Sequence, residues 1–146
     1  NVLWRLQHGE LDGIAPKLIV MMIGTNNTGD RQEDPATTAA SIRRLVDEVQ
    51  RRQPRAQLLL LAIFPRDQQP GTRLRRLNDE VNQRIAGFAD GQRIHFLNIN
   101  DQLMNPDGTL STDILPDLLH LSEQGYDRWA RAIEPTLQRL MAAPAP

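Results

Sequence analysis

Three apolar runs alternate with amphipathic stretches along this chain. Leu18-Ile19-Val20-Met21-Met22-Ile23 and Leu58 to Ile63 are apolar at every position. A strand with one face in water would alternate, so both runs predict strands covered on both faces, as in a parallel sheet. Ile94 to Ile99 interleaves His95 and Asn98, which predicts a third strand nearer an edge. Between and around the runs the period changes to that of a helix. Val2, Leu3, Leu6 and Leu11 give a partial stripe, loosened by Gly9 and Gly13. Asp34-Pro35 opens a helix with a capping side chain and a proline at its first position. Ala39, Ile42, Leu45, Val46 and Val49 form its stripe, and Pro54 ends it. Thr72 is placed to cap the next helix, with Leu74, Leu77, Val81, Ile85 and Phe88 on one face. Asp90-Gly91 marks a turn. Ser122 opens the last helix, whose stripe is Tyr126, Trp129, Ala130, Ile133, Leu137 and Leu140. Pro135 falls inside it and is expected to kink it.

Buried strands that alternate with amphipathic helices predict one α/β domain with a parallel sheet covered on both sides. The 146 residues suit a single core. Residues 24 to 34 read as a polar loop. Residues 100 to 119 read as a long irregular connection, a length that is often functional in a compact domain.

Charge and composition narrow the function classes. Seventeen basic residues face eighteen acidic ones, so no strong field favours nucleic acid or an anionic membrane. Arg43, Arg44, Arg51, Arg52 and Arg55, with Asp47 and Glu48 among them, read as a solvated face with local ion pairs. Arg73, Arg75 and Arg76 read the same way. The absence of cysteine excludes disulfides, thiolate metal sites and a cysteine nucleophile. His8, His95 and His120 have no metal-ligand spacing, so no metal is expected. Neither Gly-Lys-Ser/Thr nor Gly-x-Gly-x-x-Gly is present, so no cofactor is expected. The longest apolar run is far too short to span a bilayer. The chain starts at Asn1, and no compartment is assigned. His8 and His95 are read as surface or satisfied-core residues, and Trp4 and Trp129 as core packing.

Two stretches carry chemistry. Asp117-Leu118-Leu119-His120 places a carboxylate three residues before an imidazole, the pair needed when a carboxylate orients a general base. Gly24-Thr25-Asn26-Asn27 follows a strand directly, at the end where parallel sheets bind ligands. There a glycine permits a sharp turn and an amide can donate to a developing oxyanion. Each stretch alone also reads as an ordinary turn.

Together they resemble the third and fifth sequence blocks of the SGNH (GDSL) hydrolases. Several further stretches look like the alpha catalytic subunits of brain-type platelet-activating-factor acetylhydrolase within that family. These are Asn1-Val2-Leu3-Trp4-Arg5-Leu6, Gly9-Glu10-Leu11, Pro16-Lys17, Arg52-Gln53-Pro54, Pro65-Arg66, Val81-Asn82-Gln83, Asp107-Gly108 and Leu121 with Gly125-Tyr126. The resemblance implies a flavodoxin-like three-layer α/β/α sandwich with a parallel sheet, the SGNH hydrolase fold, lacking its first two strands. Residues 1–141 would be the C-terminal portion of that single domain and 142–146 a frayed tail. It implies a serine esterase for short acyl esters, with a small ester as its partner and a homodimer as its assembly. By the same carry-over His120 is the base, Asp117 its orienting partner and Asn26 an oxyanion-hole donor. Gly24, Thr25 and Leu119 fall to substrate binding, although plain packing suits Leu119 as well. The block that supplies the nucleophile, a strand then Gly-Asp-Ser, has no counterpart. Ser41, Ser111 and Ser122 all lack its context, so no nucleophile is assigned within the chain. The competing expectation is a binding module of the same fold that holds a small ligand or protein at the same cleft.

Overall fold

The computed structural model describes residues 1–143. Its elements are α1 (Val2–Gln7), β1 (Leu18–Met21), α2 (Thr25–Thr28), α3 (Pro35–Arg52), β2 (Gln57–Leu61), α4 (Arg73–Ala86), β3 (Ile94–Leu97), a 3-10 turn at Asn100–Gln102, and α5 (Glu123–Ala142). The strands form one parallel sheet in the order β1-β2-β3. Register sets Val20 beside Leu59 and His95 beside Leu59 on the other side.

Strand β2 explains the layers. All five of its residues are buried, so it must be covered on both faces. Its side chains alternate: Leu58 and Leu60 join one apolar cluster with residues of α1, α3 and α4. Leu59 and Leu61 join a second with Leu103, Leu110, Ile114, Leu115 and the α5 residues Ile133 and Leu140. Each such leucine contributes about 1.5–3 kcal/mol on leaving water. The result is a three-layer α/β/α sandwich: α1, α3 and α4 on one face, α5 and the segment before it on the other.

Local chemistry accounts for most boundaries. Asp34 caps α3, accepting from the amides of Ala36 (2.8 Å) and Thr37 (3.2 Å), with Pro35 at the first helical position. Ser122 caps α5 by accepting from Gly125 N (3.1 Å). Asp90 accepts from the amides of Gln92, Arg93 and Ile94, and so closes the turn into β3. Arg43–Asp47 and Arg51–Glu48 form the expected surface ion pairs.

Several expectations are corrected. Strand β1 ends at Met21 and has only β2 beside it among the described residues, and Val20 and Met22 are 41% and 43% exposed. The run therefore forms a sheet edge, as expected of this fold without its first two strands, and its faces are only partly covered. Residues 25–28, read as loop, form one helical turn. Thr72 occupies the cap of α4, but its hydroxyl makes no capping bond. The buried side of α4 is led by Arg75, Asn78 and Asn82 together with Val81 and Ile85, and Phe88 lies beyond the helix. Arg75 is thus no solvated cation. Its guanidinium donates to the carbonyls of Arg66, Asp67 and Gly108 at 2.8–3.0 Å, and burial pulls its pKa below the usual arginine value. Tyr126 and Ala130 fall outside the buried face of α5. That helix continues through Pro135 to Ala142, with Ala143 at its cap, so Ala142, expected in a frayed tail, is helical. Residues 144–146 lie outside the described residues. Trp4 is exposed and stacks on His8 with ring centroids 4.1 Å apart. Among the described residues, no helix is long and apolar enough to cross a membrane.

Candidate active site

The segment between the 3-10 turn and α5 folds back tightly enough to build the pair at its end. Leu118 N donates to Leu115 O (2.9 Å), and Leu118 itself has φ 60°, a left-handed conformation costly for a residue with a Cβ. That turn lets one carboxylate oxygen, Asp117 Oδ1, accept from the amides of Leu119 (3.0 Å) and His120 (2.7 Å). The other oxygen, Oδ2, lies 2.6 Å from His120 Nδ1. Behind the turn, Ser122 N donates to Ile114 O (2.9 Å). A Cβ on Gly125 would lie 2.5 Å from that same carbonyl, so only glycine permits this close seating of α5.

The hydrogen bonds set the electrostatics. The His120 amide, and then the His120 ring, hold the Asp117 carboxyl down at about 2. Its folded pKa is below the unfolded value of ~3.9, so its stabilising contribution is present above that value and is lost as pH falls through about 2. Above that range an ionised carboxylate can only accept. The neutral ring must then carry its proton on Nδ1 and present the lone pair of Nε2 outward. Both side chains are exposed, so the pair stands open to whatever approaches it.

His120 lies on the rim of a cleft of about 200 Å³ at the carboxyl ends of the strands. The cleft is walled by Thr25 and Leu119 with Ile63, Phe64, Tyr126 and Trp129, and its surface is mostly apolar. Of the residues singled out in the sequence, Thr25, Leu119 and His120 meet here, with Asp117 behind the imidazole. Gly24 and Asn26 do not line this cleft. They border a neighbouring depression beside Asn1, Leu3 and Arg44, where Asn26 is exposed. Ser41 borders that depression too; Ser111 and Ser122 serve the turn and the cap before α5. None of the three serines lines the His120 cleft.

Gly24 has a different task. It is buried with φ 123°, and a Cβ there would sit 2.7 Å from Ile63 Cδ1 and 3.2 Å from Ile42 Cδ1. It lets the chain leave β1 against the core and turn into α2. Gly24→Ala combines a strained backbone with overpacking and should cost about 2–4 kcal/mol. Urea unfolding would measure it, and a loss under about 1 kcal/mol would mean that Ile63 and Ile42 give way freely.

Sequence reasoning missed the amides that hold the floor of the site. Ile63 N donates to Asn82 Oδ1 (2.7 Å), and Ile63 O accepts from Asn82 Nδ2 (2.9 Å) and Asn100 Nδ2 (3.0 Å). Asn78 Nδ2 donates to Phe64 O (2.8 Å), and Thr28 Oγ1 donates to Asn78 Oδ1. Where β2 runs out of strand partners, side-chain amides replace them. Arg66 then bridges to the helix beside the cleft by donating to Thr25 O (3.0 Å). The signal was present in the sequence: Asn78 and Asn82 stand four apart on the core side of α4.

The chain is similar to several known proteins over most of its length. Residues 1–128 match the model of the GDSL-like lipase/acylhydrolase family. Over 143 residues the chain is 41% identical to human (Homo sapiens) platelet-activating factor acetylhydrolase IB subunit alpha1, covering 97% of this chain and 60% of that protein. The alpha2 subunit of Rattus norvegicus is 33% identical over 142 residues, with the same coverage. The chain thus spans about 60% of the length of these curated relatives. Among solved structures, a putative platelet activating factor from Streptococcus pneumonia superposes with a TM-score of 0.79 at 24% identity, over 92% of this chain and 66% of that one. The carbohydrate acetylesterase Est24 from Sinorhizobium meliloti gives 0.73 at 21%, over 96% and 68%. At these identities the two structures speak for the fold.

Proposed function

The chain belongs to the GDSL-like lipase/acylhydrolase family, and from that premise we propose that it carries the general-base half of a serine esterase for short-chain acyl esters. The observation that supports this most directly is the 2.6 Å contact between Asp117 Oδ2 and His120 Nδ1 at the mouth of an apolar cleft. In this reading Nε2 of His120 takes the proton of an attacking serine, Asp117 holds the tautomer and steadies the imidazolium, and Asn26 donates to the oxyanion. Thr25 and Leu119 bound the acyl group, and the likeness to the acetylhydrolase alpha subunits favours acetyl over long chains. The serine comes from residues outside 1–146, since Ser41, Ser111 and Ser122 stand elsewhere.

A fluorophosphonate probe tests the assignment, because it labels only a serine activated by a nearby base. In a full-length protein containing this chain, the label should map outside residues 1–146 and disappear in His120→Ala. Residues 1–146 alone should hydrolyse a short-chain aryl ester no faster than their own His120→Ala variant. Labelling of Ser41, Ser111 or Ser122 would place the nucleophile within the chain and overturn the assignment. No labelling of the full-length protein would favour a binding module at the same cleft.

A further inference from the structure

The turn that carries Thr25 and Asn26 is too short to hold itself. Helix α2 spans four residues, Thr25–Thr28, and a single helical turn is marginal without outside contacts. Asn26 is exposed, and its carbonyl accepts from the amides of Asp30 (3.1 Å) and Arg31 (3.2 Å) as part of that turn. Where its side-chain amide points therefore depends on where the turn sits. Side chains from outside tie the turn down. Glu33 accepts from Asn27 Nδ2 (2.9 Å), Asn78 accepts from Thr28 Oγ1, and Arg66 Nη1 donates to Thr25 O (3.0 Å).

The Arg66 contact is built in from both ends. Arg66 follows β2 in the loop that the buried Arg75 gathers: Arg66 O accepts from Arg75 Nε (3.0 Å) and Asp67 O from Arg75 Nη2 (2.8 Å). The backbone of Arg66 is thus anchored before its side chain reaches α2. At the far end, Thr25 O has two lone pairs. The Gly29 amide takes one (2.8 Å), the single proton of the Thr28 hydroxyl goes to Asn78, and the other lone pair falls to Arg66. Gly29 keeps the path open. Its φ of -78° suits any residue, yet a Cβ there would sit 1.7 Å from Arg66 Nη1. The glycine is needed for the guanidinium rather than for the backbone. Arg66 lines neither the His120 cleft nor the depression beside it, so it acts through the turn. Building on the esterase reading above, we propose that Arg66 is a positioning residue: its guanidinium clamps α2 to the loop after β2 and so holds the Asn26 amide where the oxyanion forms.

Arg66→Met in a full-length protein containing this chain tests this with two readouts. The first needs no turnover. The amides of Asn27, Thr28 and Gly29 close the turn, and their hydrogen exchange should quicken about 10-fold or more while exchange in β2 is unchanged. The second is kinetic. For a short-chain aryl ester, kcat should fall about 10–100-fold with KM little changed, as for a donor moved away from charge that forms in the transition state. In an Asn26→Ala background the same substitution should cost less than about threefold, because the donor it positions is gone. Turn amides that exchange no faster, exchange that quickens equally in β2, a rise in KM in place of the fall in kcat, or a full fall in the Asn26→Ala background overturns the proposal. If Arg66→Met does not fold, Gly29→Ala decides on the same readouts, since its Cβ takes the space of the guanidinium. If the unmutated protein hydrolyses no ester, the esterase reading fails, and exchange in the turn still decides whether Arg66 holds it.

Discussion

Asp117→Asn should lower kcat for a short-chain aryl ester about 10⁴-fold in a full-length protein containing this chain, with KM little changed. The substitution is nearly silent for the fold. An amide oxygen in place of Oδ1 still accepts from the backbone of Leu119 and His120, so the turn survives. The change falls on the other position. An amide nitrogen facing Nδ1 can only donate, which drives the ring proton to Nε2 and removes the lone pair needed for the nucleophile. Circular dichroism should therefore match the parent while turnover collapses. A fall of less than about tenfold would mean that the contact between Asp117 and His120 is not used in catalysis.

Asn26→Ala should lower turnover about 10²–10³-fold, again with little effect on KM, because an oxyanion donor acts on charge that exists mainly in the transition state. The position itself is informative. Asn26 stands on the single turn of α2, one residue past Thr25 in the cleft, and faces the depression beside α1. Whatever presents the serine must bring the reacting carbonyl within reach of that side. An unchanged rate would remove Asn26 from the oxyanion hole and would leave Thr25 as the member of the Gly-Thr-Asn-Asn stretch that faces substrate.

The parts of this molecule that the sequence discloses are those governed by local rules. The unbroken apolar run at Leu58 to Ile63 reads as a doubly covered strand and forms one as far as Leu61, and the capping chemistry of Asp34-Pro35 and Ser122 works as written. Asp117 and His120 are legible because their contact spans three residues. Non-local arrangements are hidden. Arg75 looks like any surface arginine until three carbonyls from two loops converge on it. Gly24 looks like a ligand-facing turn until the positions of Ile42 and Ile63 are known. Trp129 fits a helical stripe equally well as core or as cleft wall, and in the fold it is both, packed on the cluster beneath α5 and lining the cleft with Met22 and Leu119. The run at Leu18 to Ile23 has the composition of a covered strand, yet it lies at the sheet edge left where the fold's first two strands are expected. Its composition reports an environment with neighbours on both sides, and the described sheet supplies one.

That open side of β1 should make the state of residues 1–146 alone depend on their concentration. Leu18–Met21 carries backbone donors and acceptors with no strand beyond them among the described residues, no charged side chain within the strand, and Val20 and Met22 exposed alongside. Another strand of any origin can complete it, a second copy included. For residues 1–146 alone, early association is then a bimolecular process, and doubling the protein should raise its initial rate about fourfold, as followed by light scattering. Dilution and a covering segment become interchangeable remedies: one makes the encounter rare, and the other occupies the edge before it happens.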